Sequence, residues 1–359
     1  MAQRVSRSLR RALRPDTLII TLVLVCVGLL TGKYAPSWTG ELSEQPVQPM
    51  AAAKADSDFG PAADFVGESD DVVNRNLKAM PAAARCEPLT FLMFNAHNYF
   101  VKEDAQRSRY KLSIKKESER EAVADVIAAA SPQIVGLIEM GGPPALEDLQ
   151  NRLKARGLHY PYSRVLIRGG EDRALAVLSQ HPIVQDHSRA NCSLHGNKRQ
   201  KMLRGILDVT VRVGGERYFR VVGAHLKSRV SDDPAAATAR RSLEARTLAM
   251  YLQQEMRKQP LMPFVVYGDW NDGPADDSLK ILRQGMSADS ALTRVKAEDS
   301  AGLTWTIYYA GAEEYCVFDQ IYVNNVLRSR RGRKLRSGVV DIPAAAHAAD
   351  HRAVWCELR

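Results

Sequence analysis

The sequence predicts a layered α/β or α+β domain over residues 86–359, and three observations predict it. About eight short apolar runs of strand length follow Cys86, each closed by Gly, Pro or a polar side chain. Two longer stretches between them keep their apolar residues on one helical face. The chain is 45% apolar and 25% charged over 359 residues, which supports a large core and excludes whole-chain disorder. No repeat with a period of about 20–50 residues is present, which argues against solenoids and propellers.

In chain order the strand runs are LTFLMF before Asn95, QIVGLI before Glu139, RALAVLS from Arg173, and LRGILDVTV from Leu203. There follow RYFRVVGA before His225, PFVVYG before Asp269, YCVFDQIYV around Asp319, and RAVWCEL after His351. Glu119 to Ala130 reads as a helix with Val123, Val126, Ile127 and Ala130 on one face, and Ser118 with Glu121 has the spacing of a capping box. Thr238 to Arg257 does likewise through Ala245, Leu248, Ala249, Leu252 and Met256. Strands interleaved with amphipathic helices and joined by many short connections point to sheets packed together and covered by helices.

The N-terminal quarter has a different character. Residues 1–16 carry five Arg and one Asp, a basic cytoplasmic end for the apolar segment Thr17–Gly32, whose only ionisable group is the Cys26 thiol. This segment is expected to be an uncleaved transmembrane signal anchor, short but long enough to span, because KYAPSW rather than a small-x-small cleavage site follows it. The arginines keep their end inside, so the rest of the chain is expected in the periplasm of a bacterium, at the inner membrane; secretion after cleavage is the alternative. Residues 33–85, rich in Ala, Pro and acidic side chains, read as a flexible tether with room for a short helix around Asp70 to Lys78. In an oxidising compartment Cys86, Cys192, Cys316 and Cys356 form an even set with three pairings open, and four free buried thiols are the alternative.

Net charge is +9 for the chain and +8 for residues 86–359, with basic clusters at Lys198–Arg204 and Arg328–Arg336. That balance favours a polyanionic partner.

Chemistry concentrates at the strand ends. Asn95, Glu139, His225 and Asp269 each follow an apolar run directly, and Asp319 sits inside one, where an ionised carboxylate needs a cation or a His beside it. In GDWND, Asp269 and Asn271 stand two apart on one side of an extended backbone. AHLKSR follows His225 with Lys227 and Arg229, cations able to meet a phosphate. Adjacent Asp350 and His351 point opposite ways and should serve different partners. Imidazoles, carboxylates and amides, with no reactive Ser or Cys in a recognisable setting, suit phosphoester hydrolysis with Mg²⁺ (or Mn²⁺) rather than Zn²⁺.

These stretches, from about Leu89 to Leu358, resemble the endonuclease/exonuclease/phosphatase superfamily, the pancreatic deoxyribonuclease-like group. FNAHNYF, IVGLIEM, RALAVLSQHPI, GAHLKS, GDWND, FDQIYV and DHRAVW occur in the family's order. The resemblance implies a four-layer α/β/β/α sandwich, two mixed β-sheets packed face to face with helices outside. It implies Glu139 as main Mg²⁺ ligand with Asn95 and Asp350 near the metal, Asp269 activating water, and Asn271 orienting it. His225 and His351 would flank the phosphate, Asp319 or Asp350 fixing an imidazole, and Arg173 is a candidate phosphate contact. The chain departs from the family in having Ala349 where Ser commonly precedes the last Asp-His pair. The local forms are most similar to bacterial secreted or surface nucleases, which makes nucleic acid the expected substrate. A phospholipid phosphodiesterase or phosphatase is the alternative enzyme, and a catalytically silent polyanion-binding module is the alternative outside catalysis. No protein partner is expected.

Overall fold

The computed structural model of the chain describes residues 67–79, 88–215, 217–284, 291–329 and 335–358. The predicted anchor and nearly all of the predicted tether lie outside them, as do Cys86 and the middle of the Arg328–Arg336 cluster. Among the described residues no helix is long and apolar enough to cross a membrane.

In chain order the elements are α1 (Asp70–Ala79), β1 (Leu89–Tyr99), α2 (Lys102–Arg107), α3 (Glu117–Ala130), β2 (Ile134–Met140), α4 (Pro143–Ala155), β3 (Tyr162–Leu166) and β4 (Ala174–Ser179). Next come β5 (Ile183–Asp186), β6 (Ser193–Leu194), β7 (Asn197–Lys201), β8 (Leu207–Val213), β9 (Arg217–His225), α5 (Pro234–Lys258), β10 (Phe264–Asp269) and α6 (Asp277–Gln284). The chain ends with β11 (Leu292–Arg294), β12 (Ile307–Tyr309), β13 (Glu314–Cys316), β14 (Asp319–Asn324), α7 (Asn325–Ser329), β15 (Ser337–Val339), α8 (Ala345–Ala348) and β16 (Val354–Leu358).

Strands that are apolar on both faces need cover on both. The first sheet has the order β15-β16-β1-β2-β4-β3 and the second β11-β14-β10-β9-β8-β5, and both are mixed, with one parallel pair each, β1/β2 and β9/β10. Their inner faces share one core, Phe91, Ile138 and Val177 from the first sheet meeting Phe219, Val265 and Ile321 from the second. Each such side chain contributes about 1.5–3 kcal/mol when fully buried. Outside the first sheet, α3 and α4 bury Val123, Val126, Leu146 and Leu149. Outside the second, α5 and α6 bury Leu248, Leu252, Leu279 and Leu282. The four-layer sandwich is therefore the fold.

Tyr267 of β10 stands at the middle of the sandwich and donates to the Ala176 carbonyl of the opposite sheet at 3.0 Å. A Cβ on Gly136 or Gly223 would come within 2.6 or 2.5 Å of its ring, so both sheets give up a side chain to admit it. On the second sheet's outer face, fully buried Arg220 bonds both oxygens of Asp208 at 2.7 and 2.8 Å and Glu255 at 2.8 Å. The Tyr251 hydroxyl completes the pairing at 2.6 Å.

Four expectations change. Residues 67–79 are not tether: α1 buries Val73 and Leu77 against the second sheet, and Glu68 accepts from Tyr218 at 2.8 Å. The helix predicted from Glu119 starts at Glu117, where Glu119 Oε2 accepts the Lys116 N–H at 3.3 Å instead of a Ser118/Glu121 box. The run around Asp319 is broken at Val317–Phe318, which makes Asp319 the first residue of β14. Finally, Cys192, Cys316 and Cys356 are free thiols. Every pairing of the even set of four needs a bond among these three, so that framework does not form. Cys356 lies in the core between the sheets, whereas Cys192 packs on the outer face of the second.

Candidate active site

The site forms where the ends of β1, β2, β9, β10 and β14 meet. In the second sheet it follows from register alone: Asp269, last in β10, pairs with His225 of β9 on one side and Asp319 of β14 on the other. Neighbouring residues in a ladder point to the same face, so three functional groups lie in one row. In the first sheet irregularity does the positioning. Asn95 of β1 pairs with Ile138 of β2 and Tyr99 with Met140, so three residues of β1 bulge opposite the single residue Glu139. His97, Asn98 and Glu139 take φ values of 45°, 52° and 58°, sparsely populated for non-glycine residues and costing about 1–3 kcal/mol each. The bulge swings Glu139 out of the sheet's alternation toward the row on the opposite sheet.

These groups surround a cavity of about 520 Å³ lined by Glu139, Arg173, His225, Asp269, Asp350 and His351. Asp319 Oδ2 accepts from His351 Nδ1 at 2.6 Å, leaving Nε2 3.7 Å from Asp269 Oδ2. His225 Nε2 lies 3.5 Å from the same oxygen and 4.0 Å from Glu139 Oε1. Asn95 Nδ2 donates to Asp269 Oδ2 at 3.0 Å, and the Asn271 N–H donates to Oδ1 at 2.9 Å. Glu139 Oε2 accepts the Asn98 N–H at 3.2 Å and meets Arg173 Nε at 3.5 Å.

Burial raises Asp269; the His351 charge opposes and the Asp319 carboxylate adds, leaving Asp269 at about 7. Burial works against a charged His351, but the carboxylates of Asp319 and Asp269 outweigh it and push the imidazole up to about 10. Burial, with the Arg204 charge adding, holds His225 well below its ordinary value. At neutral pH the site thus contains a titrating carboxyl at Asp269, a cationic imidazole at His351 and a neutral one at His225.

Asp269, Asp319 and His351 offer three ligand atoms within 4.8 Å of one another, a spacing that could hold a metal. A cation shared by Asp319 and His351 would displace the proton of their 2.6 Å hydrogen bond, so proton handling suits these three better. Glu139 and Asp350 are the carboxylates that line the cavity beside them, hard donors of the kind Mg²⁺ takes.

Several expectations are corrected by this geometry. Arg229 does not face the cavity: it donates to the Asn271 carbonyl at 2.9 Å, to Asp272 at 3.2 Å and to Asp276 at 2.6 Å, with its guanidinium over Phe318. Lys227 turns its Nζ to the Val230 carbonyl at 3.2 Å. Asn271 does not continue an extended strand; at φ 52° it closes a turn on Asp269 and donates Nδ2 to the Leu226 carbonyl. Asn95 is fully buried behind Asp269, with Oδ1 accepting the His97 N–H at 3.0 Å, so it braces the site and does not line the cavity. Asp350 and His351 take different partners, His97 at 2.8 Å and Asp319 at 2.6 Å, but they do not point opposite ways: both line the cavity, Asp350 Oδ1 lying 4.0 Å from His351 Nε2.

Sequence reasoning missed four groups. His97 sits inside FNAHNYF, where only the β1 bulge gives it a role. Arg204, at the end of a basic cluster, turns out to be a buried wall of the cavity. Thr306 Oγ1 accepts the backbone N–H groups of Phe318 and Asp319 at 3.1 Å each and fixes the start of β14. The β12–β13 hairpin brings Tyr308 and Tyr309 to the cavity's rim.

The family model described as Endonuclease/Exonuclease/phosphatase family matches residues 108–351, more than half of the chain. The chain belongs to that family. Its members are hydrolases of phosphoester bonds, and so is this chain. Among solved structures it is similar to the human Nocturnin catalytic domain with bound sulfate anion, at 17% identity over 76% of this chain and 94% of that one, TM-score 0.52. It is also similar to beta toxin 275-280 from Staphylococcus aureus, at 14% identity over 75% and 99%, TM-score 0.54. A third is sphingomyelinase C from Streptomyces griseocarneus, at 16% identity over 76% and 100%, TM-score 0.52. At these identities they share the fold. No curated protein matches the sequence.

Proposed function

We propose that this member of the endonuclease/exonuclease/phosphatase family is a metal-dependent nuclease that hydrolyses phosphodiester bonds of DNA, RNA or both. The observation that carries the reading is the row His225, Asp269, Asp319, closed by the Asp319–His351 hydrogen bond at 2.6 Å. A carboxylate with a pKa of about 7 is matched to accepting a proton from water at neutral pH. Asn95 and the Asn271 N–H hold its two oxygens in place for that task. His351, cationic and oriented by Asp319, offsets phosphate charge and has a proton for the leaving oxygen. Neutral His225 stands on the other side of Asp269 as a phosphate hydrogen-bond partner, and Arg173 adds a positive charge at the rim. Glu139, with Asp350, would hold Mg²⁺ or Mn²⁺, which neutralises phosphate charge and lowers the pKa of bound water.

The substrate reading rests on charge: +8 over residues 86–359, with Arg173 and Arg204 in the cavity wall. Residues 17–32 as an inner-membrane anchor would hold the enzyme on the periplasmic side. A phospholipid substrate is the second reading, favoured by the exposed Tyr308 and Tyr315 on the hairpin at the cavity's rim.

The test is hydrolysis of single- and double-stranded DNA, RNA, sphingomyelin and inositol phosphates by the full-length protein, each with Mg²⁺ and with EDTA. Nucleic acid degraded only with the metal is the expected result. Intact nucleic acid beside a released phosphorylated head group would replace this reading with the second.

A further inference from the structure

A second cavity, of about 210 Å³, adjoins the catalytic one and has no part in the chemistry described above. The loop before β4 is common to both: residues 167–172 line the second cavity, and the next residue, Arg173, lines the catalytic one. Gly142, three residues after Glu139, also lines it. Three arginines are among its lining residues, Arg107 and Arg109 exposed and Arg168 half-buried. None forms an ion pair with a described residue, and Arg168 Nε is buried without a hydrogen-bond partner.

Two of the three carboxylates in the lining are already engaged. Asp104 accepts the Gly142 N–H at 2.6 Å through Oδ1 and the Val101 N–H at 2.9 Å through Oδ2. Glu171 lies 3.6 Å from Arg204, in the wall of the catalytic cavity. Asp104 keeps its charge beside those neutral donors, so with Glu171 paired to Arg204 two carboxylates, Asp104 and Asp172, stand against three cations. Gly170 leaves room for one of them: a Cβ there, at φ 84°, would lie 3.1 Å from Arg109 Nη2. Arginine forks of this kind match the oxygens of a phosphate in geometry and charge.

We propose that this cavity is a second phosphate site, holding a backbone phosphate of a polynucleotide next to the one cleaved. The inference rests on the nuclease reading and deepens it. A single phosphodiester fills the catalytic cavity alone, whereas a strand running past Arg173 carries a further phosphate to Arg107, Arg109 and Arg168. The second site therefore selects polymers by their repeated charge and takes no part in bond breaking.

The experiment compares the full-length protein with the triple variant Arg107→Gln, Arg109→Gln, Arg168→Gln on two substrates, a labelled single-stranded oligodeoxynucleotide and bis(p-nitrophenyl) phosphate. The expected result is a KM for the oligonucleotide raised about tenfold with kcat little changed, while hydrolysis of the small diester stays within about twofold. The salt dependence of oligonucleotide binding should become shallower by about 0.7 for each phosphate the variant no longer neutralises. The matching Arg→Lys variant should recover part of the KM, which separates charge from packing. Binding of the same oligonucleotide in EDTA, read by fluorescence anisotropy, gives an arm independent of turnover.

Unchanged KM and unchanged EDTA binding in the triple variant would overturn the second site and leave the nuclease reading standing. A wild-type protein that fails to cut the oligonucleotide yet binds it more tightly than the variant in EDTA would keep the site and remove the nuclease reading. Equal loss on both substrates would assign the arginines to the fold and overturn the proposal, as would a variant that loses binding to phosphatidylserine vesicles alone.

Discussion

The two sheets reach the active site by different means. The second delivers His225, Asp269 and Asp319 from three strands adjacent in the sheet in regular register, fully enclosed, so their electrostatics are set by burial and by one another. The first delivers Glu139 through a bulge and three left-handed residues, at a rim open enough that Asp350 and His97 are each about half exposed. The regular half suits proton transfer, which needs fixed distances and low dielectric. The irregular half suits a cation, which needs oxygen ligands that can approach from solvent.

The contrast is broken most directly at Asp269. Asp269→Asn should lower kcat by about 10²–10⁴ at saturating Mg²⁺, because it removes the proton acceptor and keeps the shape; steady-state turnover on DNA reads this. A loss under about tenfold would move the base elsewhere. Away from the site, Arg220→Ala should destabilise the protein by about 3–5 kcal/mol in urea unfolding, since it leaves Asp208 and Glu255 charged, buried and unpaired. Turnover per folded molecule should hold, because that cluster lies on the outer face of the second sheet.

The Asp319–His351 pair makes a pH prediction for the metal-free protein. His351 is raised from 6.5 to about 10 on folding. Its contribution to stability is therefore complete below pH 6.5 and is lost as pH rises through about 10. Asp319→Asn should return the imidazole toward 6.5, visible in its NMR titration, and flatten that part of the stability profile. An imidazole that already titrates near 6.5 in the wild type would contradict the pairing. Smaller still, Gly136→Ala and Gly223→Ala should each cost about 1–3 kcal/mol, one in each sheet, because both press on the Tyr267 ring. Their double variant should cost less than the sum, since one displaced ring serves both.

The same contrast explains what was legible in the sequence. Apolar runs marked the buried strands of both sheets, and in the second sheet the polar residues that end the β9 and β10 runs, His225 and Asp269, are site residues themselves. Periodicity also found α3 and α5. The bulge was not legible: whether three residues of β1 face one of β2 depends on pairing between segments about 40 residues apart, not on local pattern. His97 and the left-handed Glu139 are hidden by the same cause. α1 went unread as a docked helix because Val73 and Leu77 alone mark its buried face in an otherwise polar segment. Lys227 and Arg229 misled because a cation near a catalytic His looks like a phosphate contact until its carbonyl and carboxylate partners are seen.

The division of labour between the sheets is tested most directly by the Mg²⁺ dependence of DNA cleavage in Glu139→Gln and Asp269→Asn. Glu139→Gln should shift the half-saturating Mg²⁺ concentration upward and recover part of its turnover as the metal is raised. Asp269→Asn should keep the wild-type midpoint and stay slow at every concentration. The opposite assignment, with the midpoint shifted by Asp269→Asn and unmoved by Glu139→Gln, would contradict it.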